Sequence, residues 1–127
     1  MQDKYLYEYA VIRVVPRVER EEFLNVGIIL YCSKQGFLEA KIQLHEERFK
    51  AFPCTVETQE LQAYLDTWQR ICKGGKEGGS IGLLPIASRF RWLTSTRSTI
   101  VQTSKVHPGF CESASDTLAS LFQELVL

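Results

Sequence analysis

The densest run of chemically capable side chains lies between Arg89 and Glu112. Arg89, Arg91, Arg97 and Lys105 supply cations there, and no acid appears until Glu112. Thr94, Ser95, Thr96, Ser98, Thr99, Thr103 and Ser104 crowd hydroxyls between them, and His107 stands before Pro108-Gly109. Guanidinium, hydroxyl and imidazole donors together suit a phosphate or a carboxylate. Arg89, Arg97, Ser98 and His107 are therefore the leading candidates for a ligand- or partner-binding site. The competing reading is structural: the same arginines pair with Glu19, Glu21, Glu22 or Glu112. Exposed pairs of that kind are common and individually weak.

Two further positions join the candidates. Arg13 interrupts the apolar run Tyr5 to Val15. A buried charge needs a partner, so Arg13 either closes a salt bridge or floors a site. Asn25 precedes Val26-Gly27, where its side chain anchors a turn or touches a ligand.

Other chemistries find less support. His45 and His107 are the only histidines; a metal site would need them to meet each other, or cysteines or acids from distant segments, and nothing in the spacing supports that. His107 has the right intrinsic pKa for a general base. Cys111 follows four residues later, but a Pro-Gly pair lies between them, and catalytic dyads are usually assembled from distant segments. The glycines of Lys73 to Ser80 (KGGKEGGS) lack the strand–helix setting and the terminal Lys-Ser or Lys-Thr of a phosphate loop. No catalytic residue, metal or cofactor is expected.

The chain has 127 residues, 45% hydrophobic and 24% charged, with a formal net charge of zero. That is the size and make-up of one globular domain, able to bury roughly two thirds of its unfolded surface. Charge balance weighs against a dedicated nucleic-acid binder. Trp92, beside Arg91, keeps a single-strand stacking surface in view as a minority reading, whereas Trp68 falls on a helical apolar stripe. Cys32, Cys54, Cys72 and Cys111 form no CxxC pair, and Met1-Gln2-Asp3-Lys4 leads into a strand-like run without a signal-peptide pattern. Four reduced thiols in a cytoplasmic protein are the expectation. The longest apolar run, Val26 to Cys32, is far short of the ~20 residues that span a membrane.

Several elements must position these groups. Tyr5 to Val15 reads as a central strand ended by Pro16. Gly27 to Cys32 is apolar on both faces, hence a buried strand. Phe37 to Leu44 alternates cleanly, so one face is wet. Ser33 to Gly36 turns between these two strands, making an antiparallel hairpin. His45 to Phe52 is a short helix or turn. Glu57 to Lys73 is an amphipathic helix with Leu61, Tyr64, Leu65, Trp68, Ile71 and Cys72 on its apolar stripe. Thr55 is its candidate cap, and Gly74-Gly75 end it. A flexible glycine-rich loop over 73–80 leads to a helix from Pro85 to Leu93 and a fourth strand, Thr99 to Thr103. Lys105 to Ser113 reads as loop, turning at Pro108-Gly109. A closing helix, Asp116 to Leu127, is capped by Ser115. The sum is α+β: a small antiparallel or mixed sheet of about four strands, with helices packed on one face.

YEYAVIRVVPRVEREEFLNVGIILYC, then ERF before a proline, then RFRWLTSTRSTIVQTSKVHPGF together resemble the bacterial domain-of-unknown-function 3037 family (DUF3037) over Tyr7 to Val126. Pro16, Asn25, Gly27, Arg48, Arg89, Phe90, Leu93, Arg97, Ser98, His107 and Gly109 match the family's recurring positions. Threonine is more usual where this chain has Pro108. The family has no established activity. The resemblance implies an association with HipA-like serine/threonine kinases and hence a protein partner. The resulting expectation is a non-catalytic interaction module. A small enzyme or binding protein for an anionic ligand, or a nucleic-acid binder, is the alternative.

Overall fold

The structure, a computed structural model, describes residues 4–16, 22–51, 56–95 and 99–127. Its sheet is built on β1 (Tyr5–Val14), β2 (Leu24–Cys32) and β3 (Phe37–Ile42). Aromatic and β-branched side chains dominate β1, where they suit a pleated surface. β2 and β3 form the expected hairpin, pairing from Cys32 with Phe37 to Gly27 with Ile42. Gly36 closes the turn at φ 59°, and its N–H donates to Ser33 O over 3.1 Å. β1 lies antiparallel beside β2. The other edge of β1 carries two short strands in succession, β4 (Val101–Thr103) and β5 (His107–Cys111).

The helices are α1 (Glu46–Lys50), α2 (Thr58–Lys73), α3 (Gly79–Gly82), α4 (Ile86–Leu93) and α5 (Ala114–Leu125). α2 starts after Glu57, and the candidate cap Thr55 lies outside the described residues. The segment expected as a glycine-rich loop forms a 3-10 turn, Lys76–Gly78, and then α3. α5 begins two residues before the expected start, because Ser113 rather than Ser115 accepts the Asp116 N–H, at 3.3 Å.

The α+β class holds, with two corrections. First, the sheet has five strands and helices on both faces. Ala10, Ile12, Val14, Ile29, Tyr31, Leu38 and Ala40 face α2 and α4, meeting Leu61, Leu65, Trp68, Ile71, Phe90 and Leu93. Val11, Ile28, Leu30 and Cys32 face the other way, onto Ala114, Leu118 and Phe122 of α5. A strand apolar on both sides exposes one side unless both are covered, and β2 is buried from Val26 to Cys32. Second, His107 to Cys111 is a strand and not a Pro-Gly turn. Proline is tolerated at a sheet edge, where its nitrogen owes no ladder bond. Gly109 pairs with Tyr7, and a Cβ there would lie 2.6 Å from Tyr7 Cζ. The missing side chain is what lets the Tyr7 ring lie across the strand.

Ser104 bridges the two edge strands. Its N–H donates to Val11 O at 2.9 Å, and its Oγ accepts the Val11 N–H at 2.9 Å. A hydroxyl thus stands in for a ladder carbonyl where the edge is broken. On the β2 side a bulge falls after Ile12: Ile12 pairs with Gly27 and Arg13 with Asn25, leaving Val26 as the extra residue.

Candidate functional site

Arg89 projects from α4 to the end of α2. Its Nη1 donates to Ile71 O at 2.9 Å and Cys72 O at 2.7 Å, and its Nε donates to Leu84 O at 3.0 Å. The last carbonyls of a helix have no intrahelical donors and carry the negative end of its dipole, so a guanidinium suits them. Gly74 allows the approach, since a Cβ there would sit 2.8 Å from Arg89 Nη1. The guanidinium is committed to this helix end.

His107 is exposed, and it stands on the opposite face of the sheet. It pairs across the ladder with Tyr9, their ring centroids 5.3 Å apart and inclined at 34°. Arg89 and His107 therefore do not meet in one cleft, as a single anion site would have required. Arg97 and Ser98 lie outside the described residues.

Arg13 and Asn25 are brought together as cross-strand neighbours. The Arg13 guanidinium carbon lies 4.2 Å from the centroid of the Phe23 ring, a cation–π contact. Its Nε is buried without a hydrogen-bond partner, and so is Asn25 Oδ1. Asn25 Nδ2 donates to Leu125 O at 3.1 Å, so this residue holds the C-terminal end of α5.

Among the described residues the cysteines and histidines form no reactive pair. Cys32, Cys72 and Cys111 are free and buried, and Cys54 lies outside the described residues. Burial pushes the Cys72 thiol up to about 12, which suppresses the thiolate. His107 and Cys111 occupy the two ends of β5, about 13 Å apart at strand rise, which separates the dyad considered from the sequence. Among the described residues, no three of His, Cys, Asp and Glu gather to hold a metal.

Sequence reasoning missed a second feature of this region. Tyr5, Tyr7 and Tyr9 alternate along β1 and so share one face, the face of α5. α5 packs on β2 and β3, which leaves the tyrosines half-buried beside it. Tyr7 and Tyr9 have ring centroids 6.2 Å apart. Burial, with the nearby Tyr9 and Cys111, raises the Tyr7 hydroxyl above its ordinary pKa. The period-two repeat was visible in the sequence, but β1 was read there only as a central strand. Arg91 also has a partner far away in the chain. It grips Glu8 through two bonds of 2.6 and 3.1 Å, and this hydrogen bonding raises the Arg91 pKa.

Comparison with known proteins adds the family and nothing further. No curated protein and no solved structure matches the chain significantly. The profile of a family described as proteins of unknown function covers residues 9–126, so the chain belongs to DUF3037.

Proposed function

We propose that this protein is a non-catalytic interaction module that engages a protein partner through the open half of its sheet. One observation carries the reading: Tyr5, Tyr7 and Tyr9 lie half-buried in a row, with His107 exposed against Tyr9. Tyrosine offers a large, rigid contact area with a polar tip, and it is enriched at the centres of protein interfaces. Arg13, fixed over Phe23 on the same side of β1, adds a cation whose orientation is already set. A net charge of zero favours a protein over a polyanion.

The family resemblance makes a HipA-like serine/threonine kinase the first partner to test. Calorimetric titration of such a kinase, purified, into the full chain is the experiment. Stoichiometric binding is expected, weakened at least tenfold by the double change Tyr9→Ala and His107→Ala. Binding that survives the double change moves the interface elsewhere, and no binding removes this partner.

A further inference from the structure

On the other face of the sheet, α2, α4 and β4 do not close over the apolar layer they share with β1. They leave a cleft of about 390 Å³ walled by Tyr64, Trp68, Ile71, Trp92, Ile100 and Val101. The volume falls in the range of small-molecule sites. Ile71 and Val101, only 3% and 6% exposed, are core residues that border it. Tyr64, expected on the buried stripe of α2, is instead 56% exposed at the rim, and Trp92 is 41% exposed.

Among the described residues the lining is uncharged. Thr67 and Thr99 also line the cleft, but their hydroxyls donate to Ala63 O and Val101 O at 3.1 and 2.9 Å. Tryptophan and aliphatic walls with no charged group suit a flat apolar body. A shallower hollow shares Tyr64 and Thr67 with the cleft and extends to Arg70 and Glu60. Arg70 Nη2 donates to Thr67 Oγ1 at 3.1 Å, which anchors the guanidinium at the rim. Among the described residues Arg70 makes no ion pair; Asp66, one turn earlier, accepts from Gln62 at 2.9 Å. Arg70 is thus tied to a residue of the cleft lining, whereas Glu60 lies about 10 Å from Thr67 along the helix; on its other side Arg70 borders a hollow with Glu39, Asp66 and Glu77.

We propose that this cleft binds a small aromatic carboxylate, its ring entering beside Trp68 and Trp92 and its carboxylate meeting Arg70. The site is independent of the tyrosine row, which lies across the sheet. Guanidinium and carboxylate match in charge and in bidentate geometry.

Titration of the full chain with naphthalene-2-carboxylate tests this, with naphthalene-2-carboxamide as the neutral analogue. Calorimetry gives the affinity, and the two indole N–H resonances report on the cleft. The acid is expected to saturate, to shift both indole signals, and to bind about two- to fivefold more tightly than the amide, as for an exposed ion pair. Arg70→Gln, a change at an exposed side chain, should abolish that difference by weakening the acid. Trp92→Ala should weaken both probes at least tenfold. Equal affinity for acid and amide in the wild type overturns the proposal, as does undiminished binding by the Trp92 variant. So does the absence of saturation by either probe.

Discussion

Replacing Arg89 by alanine separates a structural arginine from a ligand-binding one. The substitution removes two part-buried bonds to the last carbonyls of α2, at 2.9 and 2.7 Å, and one exposed bond to Leu84 O. Hydrogen bonds from a charged donor contribute about 1.5–3 kcal/mol each when shielded. Water replaces a share of them here, because Arg89 is partly exposed. The lower figure for the shielded pair, about 3 kcal/mol, less about a third for competing water and with nothing for the third bond, leaves a net cost of about 2 kcal/mol. A chain of this length unfolds with an entropy near 0.27 kcal/mol/K, so the midpoint should fall by about 7 °C. Arg89→Lys keeps a cation at the helix end but loses the planar fork, and should recover no more than about 1 kcal/mol. Urea and thermal unfolding followed by circular dichroism measure both variants. An alanine variant that melts within about 2 °C of wild type would refute the capping argument and return Arg89 to the list of binding residues.

Two further predictions follow from the core. Gly27→Ala places a Cβ 2.7 Å from Lys41 O and 2.9 Å from Ile42 Cγ1. The first of these is backbone and cannot swing away, so the change should cost about 3 kcal/mol in urea denaturation; a loss under about 0.5 kcal/mol would show that β2 and β3 part easily. Cys72, whose thiol is pushed up to about 12 from an ordinary 9.0, should resist alkylation at pH 8 until urea unfolds the chain. Its folded pKa is the higher one, so its contribution is intact below pH 9 and is lost as pH rises from 9 towards 12; a Cys72→Ala variant should lose less stability over that interval, and an identical pH profile would contradict the burial argument.

The hairpin and the main helices were legible because their signals are local: the alternation of Leu38, Ala40 and Ile42, and the spacing of Leu61, Leu65 and Trp68. The second helical layer was implied by β2, since a strand apolar on both faces needs two covers. The sequence reading recognised the apolar strand without following that requirement to α5. β5 was illegible for a different reason. Pro108-Gly109 carries strong turn chemistry, and only the outer edge of β1 makes it acceptable as a strand. The site fared likewise. Arg13 and Asn25 meet because a bulge sets their register, and Arg89 turns away from His107 because a helix end outcompetes a ligand for its donors. Those pairings join distant segments, and neither spacing nor composition encodes them.

The position of Arg89 also constrains how binding data on this protein should be read. Its guanidinium grips Ile71 O and Cys72 O, one and two residues beyond Arg70 and within the helix that supplies Trp68 and Ile71 to the cleft. Loosening that helix end moves the carboxylate-binding cation and one cleft wall together, without any contact between Arg89 and the ligand. A loss of affinity in an Arg89 variant is therefore not evidence that Arg89 touches the ligand. The discriminating quantity is the ratio of acid to amide affinity. Arg70→Gln should bring that ratio to one at constant stability, whereas Arg89→Ala should lower both affinities and the melting midpoint together. Arg70 belongs to the last turns of α2 and is exposed, whereas the half-buried Arg89 reaches that helix end from α4, and this comparison tells their roles apart.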